Sequence, residues 1–196
     1  MTKGEDLFAS LNGVRAFLND LSQLLLASDM LMAARAWEPV GDNSCLNGLS
    51  YSVYEGRRWL PRAAFRRYTN AEDYPGMLAM TSLLLDEHDE YKLTEPLVCG
   101  LYFVFPEETP KDEVSVEPWN ALWPGWMEAP KDGSPVVLDE NYEYWKQKWG
   151  FRYAKMFARP LVDVANQDAL NEKVIQPLQA MIDAHVNSAG QVAKRK

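Results

Sequence analysis

The sequence predicts an α+β fold, and three observations carry the prediction. A helical apolar stripe occupies the first 36 residues, apolar runs of strand length fill the middle, and a capped helical pattern closes the chain. The expected order is a long N-terminal helix, a mainly antiparallel sheet, an irregular Pro- and Trp-rich insertion, and a C-terminal helix, strand and helix. With 196 residues and no internal repeat or Gly/Ser linker, the chain reads as one domain, 1–196, with a frayed tail from about 190. A domain of this length buries roughly 70% of its unfolded surface, so a full core is available.

The first helix is expected over residues 7 to 36. Leu7, Leu11, Val14, Leu18, Leu21, Leu25 and Met32 recur at alternating steps of four and three, with one step interrupted at Ser28. Phe17, Leu24 and Leu31 widen the stripe, and Pro39 with Gly41 ends it near Trp37. A near-heptad stripe of this kind packs either on the sheet or on a second copy of itself, so a homodimer is one expectation.

Leu49, Tyr51 and Val53 alternate with Ser50, Ser52 and Tyr54 and meet Gly56, the pattern of a half-buried strand. Residues 63 to 68 read as a strand returning beside it. Met77 to Leu85 is apolar enough for a strand or a short buried helix, and strand is preferred. Leu97 to Phe105 is the clearest strand: every residue but Gly100 is apolar, and Pro96 and Pro106, which cannot donate to a ladder, bracket it. It should be central and covered on both faces.

Six prolines between 106 and 138 predict little regular structure there. Asp139 can cap a short helix ending before Gly150. Phe151, Tyr153 and Phe157 suggest another strand. Asn166 can cap a final helix with Leu170, Val174, Leu178, Met181 and Ile182 inward, which Pro177 should kink or split.

Composition narrows the function classes. The formal net charge is −8, and residues 86 to 117 hold ten acids against Lys92 and Lys111, so the acidic balance is concentrated in that segment. Binding nucleic acid through phosphate contacts needs a basic surface and is not expected. Cys45 and Cys99 are too few for a disulfide framework, no signal-peptide core opens the chain, and no run approaches the ~20 apolar residues of a membrane span, so a cytoplasmic location is expected.

No phosphate-binding Gly-rich loop, metal-spaced Cys pair, nucleophile elbow or HExxH is present, so no cofactor, metal or catalytic residue is assigned. His185 reads as a structural residue of the last helix. Asp86, His88 and Glu90 have metal-ligand types, but their spacing fits a solvated turn better. Arg58, Arg62 and Arg66, spaced by four, share a side whether the segment is strand or helix, and their guanidinium forks suit a carboxylate or phosphate. They either neutralise acids of the same domain or bind an anionic small molecule. Trp119, Trp123 and Trp126 lie close to Glu108 and Glu113 and form either a lid on the core or an interface hot spot with a charged rim.

The leading expectation is therefore a non-catalytic binding protein of inhibitor, immunity or adaptor type, docking on a basic protein partner through the acidic Trp-bearing loop. The alternative is a small-ligand sensor or enzyme that holds an anionic metabolite through the arginines.

Overall fold

The computed structural model describes residues 2–41, 45–47, 49–70, 76–85, 93–105, 133–138 and 151–193. Its architecture is α+β: helix α1 (Lys3–Ala33) precedes the strands, and a C-terminal helical segment follows them. The strands are β1 (Glu38–Pro39), β2 (Leu46–Asn47), β3 (Ala63–Thr69), β4 (Gly76–Leu83), β5 (Leu97–Val104), β6 (Val136–Leu138) and β7 (Tyr153–Pro160). They form one sheet in the order β1-β3-β4-β5-β7-β6, with β2 also on β3, and every pairing is antiparallel. Among the described residues no helix is long and apolar enough to cross a membrane.

The strand expected to be central is central. β5 pairs along its whole length with β4 and β7, and all eight of its residues are buried. Residues 76–83 are strand, which settles the helix-or-strand ambiguity: β-branching is scarce there, but pairing on both sides overrides local preference. Residues 49–53 depart from expectation. Their alternation matches a strand, yet residues 49–52 are irregular and a turn follows, because the partners on that edge of β3 are β1 and β2 instead. Alternation identifies a strand only if an edge is free to receive it.

Strand alternation divides the core in two. Ala64, Tyr68, Leu78, Met80, Val98, Tyr102 and Phe157 face the helices, where Leu21, Leu25, Met32, Leu170, Val174, Leu178 and Ile182 meet them. Met77, Ala79, Leu97, Cys99, Leu101, Phe103, Ala154 and Met156 project from the opposite face and are equally buried. Gly100 lies opposite Phe157 on the helix side. A Cβ there would sit 2.5 Å from the Phe157 ring and 2.9 Å from Leu178, so the glycine lets the ring cross the strand beneath the C-terminal helix.

The final helical segment starts as its sequence implies, with the Ala169 amide donating to Asn166 Oδ1 at 2.9 Å. Pro177 then divides it. Helix α2 (Gln167–Leu170) passes through a π turn at Asn171–Ile175 into α3 (Gln176–Ala193). The widened turn absorbs the hydrogen bond that the proline nitrogen cannot make. The helix expected over 139–150 lies outside the described residues.

Helix α1 begins with a reciprocal cap. Glu5 N–H donates to Thr2 Oγ1, and Thr2 N–H donates to the Glu5 carboxylate. It ends where Ala36 takes a left-handed φ of 59° and Trp37 N–H reaches back to the Met32 carbonyl, which buries the indole completely. The stripe foreseen along α1 is used unevenly. Leu21, Leu25, Ser28 and Met32 are its buried members, whereas Leu11 remains 60% exposed and Leu18 only leans on the core.

Candidate functional site

Arg66 and Arg58, both singled out in the sequence, are tied to carboxylates of their own chain. Arg66, on β3, is buried, and its Nε and Nη2 donate to the two oxygens of Asp29 on α1 at 3.0 and 2.6 Å. Tyr68 O–H donates to the same carboxylate at 2.9 Å and meets Ser28 Oγ. Asp29 holds the Arg66 guanidinium still more firmly charged, while burial is the main reason the Tyr68 hydroxyl is pushed far above its ordinary range. This is the geometry of a docking pin between helix and sheet, and it explains why the stripe breaks at Ser28.

Arg58 ends a 3₁₀ turn (Gly56–Arg58), where its Nη1 lies 3.2 Å from Glu55 Oε1. Arg62 stands immediately before β3, and its carbonyl accepts from the amides of Leu84 and Leu85. Asp29 thus occupies the fork that an anionic ligand would need at Arg66, and Glu55 engages Arg58 Nη1. His185 on α3 stacks on Tyr153 at 4.8 Å and meets Tyr102 edge-on at 5.7 Å, and burial lowers its pKa. Trp119, Trp123, Trp126, Glu108 and Glu113, together with Asp86, His88 and Glu90, lie outside the described residues. Among the described residues no three His, Cys, Asp or Glu side chains gather as metal ligands.

The surface that sequence reasoning missed is the loop of residues 49–60, whose first part, Leu49 to Tyr54, is taken above for a half-buried strand. Tyr51 is 98% exposed, Tyr54 94% and Trp59 59%, with Val53 and Leu60 beside them in sequence and also exposed. These rings stand on a frame closed by its own hydrogen bonds. Ser50 N–H donates to the Arg58 carbonyl at 2.8 Å and Trp59 Nε1 to the Ser52 carbonyl at 3.0 Å. Ser52 and Tyr54 amides donate to the Ser50 and Ser52 hydroxyls, and Ser50 Oγ donates to Glu55. That hydroxyl first, and Arg58 second, lower the pKa of the Glu55 carboxyl. The available sequence signal was composition: two serines and a glycine, three large aromatics and an adjacent arginine pair suit a display loop at least as well as a strand.

A groove of about 860 Å³ lies elsewhere, between α1 and the segment around 161–167. Leu24, Ala27, Leu161 and Val164 line it together with Asp20 and Glu95. Among the described residues that line it there is no arginine. No family model, curated protein or solved structure matches the chain.

Proposed function

We propose that this chain is a non-catalytic, cytoplasmic protein-binding domain that docks through the 49–60 loop. One observation carries the reading: Tyr51, Tyr54 and Trp59 are held outward on a hydrogen-bonded frame beside the Arg58–Glu55 pair. Binding energy at interfaces concentrates in Tyr, Trp and Arg, and a loop backbone and Trp59 ring held before association lose little entropy when the partner arrives. Two free cysteines fit a reducing compartment.

The acidic segment 86–117 retains the role expected of it, steering a basic partner toward the surface. Trp119, Trp123 and Trp126 with Glu108 and Glu113 are a second set of contacts proposed on their composition. The two sets are separable by capture of partners from native extract. Replacing Tyr54 and Trp59 by alanine should weaken capture by at least about 30-fold, the equivalent of a hot spot worth about 2 kcal/mol, without unfolding the domain. If Ala at Tyr51, Tyr54 and Trp59 together leaves capture unchanged, this loop is not the docking surface.

A further inference from the structure

From the N-terminal half of α1 we infer a second interface: two copies of this chain pair antiparallel through residues 4 to 21 of that helix. The first five turns, Lys3 to Asp20, contribute no buried residue, although the stripe found in the core at Leu21 and Leu25 runs through them without a break at Leu7, Leu11, Val14 and Leu18. Leu7 is 63% exposed and Phe8 68%, and Leu11 and Phe17 are exposed as well. Leu7, Phe8 and Leu11 alone present roughly 350 Å² of surface, taking fully exposed Leu and Phe as about 150–250 Å² each, while Phe17 stands on the opposite flank, where it lines the groove beside Leu161 and Val164. A lone protein rarely leaves so contiguous an apolar patch in water. With Val14 and the outer side of Leu18 it forms the apolar centre of an interface, to which polar neighbours along the helix add the rest of the ~800 Å² that each partner contributes to a specific complex.

Three features point to a second copy as the occupant. The alternation of four and three is the heptad spacing by which one helix meshes with another. The pattern is also self-complementary about a point between Asn12 and Gly13. Reversing the helix sets Leu7 against Leu18 of the mate and Leu11 against Val14, as a two-fold interface requires. Phe8 then flanks the mate's Arg15, a cation over a ring. Charge raises little barrier, because the segment holds Lys3 and Arg15 against Glu5, Asp6 and Asp20 while the chain as a whole carries −8.

The orientation follows from the fold. Beyond Leu21 the same stripe is covered by the chain's own sheet, so a parallel mate would run into that sheet, whereas an antiparallel mate ends there. Gly4 of the mate, the smallest side of the seam, comes opposite Leu21.

Sedimentation velocity over a concentration series tests this independently of the 49–60 loop. Wild type should reach twice 22.3 kDa. Leu7→Glu with Leu11→Glu should remain monomeric with an unchanged melting temperature in dilute solution, since both positions face water in the single chain. Disulfide trapping in a Cys45→Ser background tests direction: Leu7→Cys should cross-link to Leu18→Cys and not to itself, because an antiparallel seam separates the two copies of residue 7 by about 16 Å along the axis. A wild type that stays monomeric throughout, a dimer untouched by the two glutamates, or self-linking of Leu7→Cys would each overturn the inference.

Discussion

Replacing Asp29 by alanine is the most incisive test of how α1 is held. Asp29 accepts two bonds from Arg66 and one from Tyr68, at 3.0, 2.6 and 2.9 Å, and Arg66 is only 8% exposed. Loss of a charged hydrogen bond costs about 1.5–3 kcal/mol, and breaking a buried pair by removing one partner costs about 3–5 kcal/mol. The Asp29 side chain keeps 24% of its surface in water, which lowers the second figure. We therefore expect a loss of about 2–4 kcal/mol in urea unfolding, read as a lower midpoint at constant slope.

Arg66→Met should be milder, because the carboxylate left behind can hydrate while the methionine fills the buried stem. The double variant should then fall short of additivity by about 0.5–3 kcal/mol, as for side chains in direct contact. A loss below about 1 kcal/mol for Asp29→Ala, or full additivity in the cycle, would refute the idea that this carboxylate pins the helix to the sheet.

Further expectations concern packing and pH. Gly100→Ala should destabilise by about 1–3 kcal/mol in the same unfolding assay, since its Cβ would enter the Phe157 ring and Leu178. Ala36→Gly should stabilise by up to about 1 kcal/mol: a left-handed φ costs an L-residue about 1–2 kcal/mol, and glycine's greater freedom when unfolded returns part of that gain. Burial lowers the His185 pKa below 6.5, so the unfolded chain takes up the proton first, and stability should decline as pH falls below about 6.5. His185→Phe should flatten that acid limb in thermal melts while keeping the stack on Tyr153. Burial raises Tyr68 and Cys99 above their ordinary values of 10.0 and 9.0, so the stability they confer should be intact below those values and decline as pH rises past them. Cys99→Ala should shift the onset of alkaline unfolding upward.

Periodicity located what burial and pairing enforce. The runs at 63–68, 77–85 and 97–105 and the strand around Tyr153 and Phe157 supply β3, β4, β5 and β7, and β4 and β5, buried along nearly their whole length, are mostly apolar, with Thr81 and Ser82 the buried polar exceptions on β4. Asn166 and Pro177 were legible because each acts within a turn of itself. The stretch from Leu49 to Tyr54 was misread because exposure of Tyr51 and Val53 is decided by which strands take the edge of β3, a tertiary fact that alternation does not encode. The arginine spacing presumed a single strand or helix, whereas Arg58 ends a 3₁₀ turn, Arg62 precedes β3 and only Arg66 lies on that strand. The electrostatic outcome at Arg66 depended on Asp29, which lies 37 residues away in sequence.

The break at Ser28 joins the stability of the domain to the proposed pairing of its copies. A leucine there would have completed the heptads, but an unbroken stripe slides easily by one heptad, because each shifted register buries equivalent side chains. Ser28 and Asp29 meet Tyr68 and Arg66 in only one register, and Arg35 adds a second stop by donating to Asn171 Oδ1 at 2.9 Å. The length of α1 left beyond the core is thereby fixed at the five turns that carry Leu7 to Leu18. Loosening the pin should accordingly weaken pairing as well as folding. Under conditions where Asp29→Ala remains folded, its dimer should dissociate at higher protein concentration than that of wild type. If the variant pairs as tightly as wild type while losing stability, the polar pin and the apolar seam act independently, and the register of α1 is set by its leucines alone.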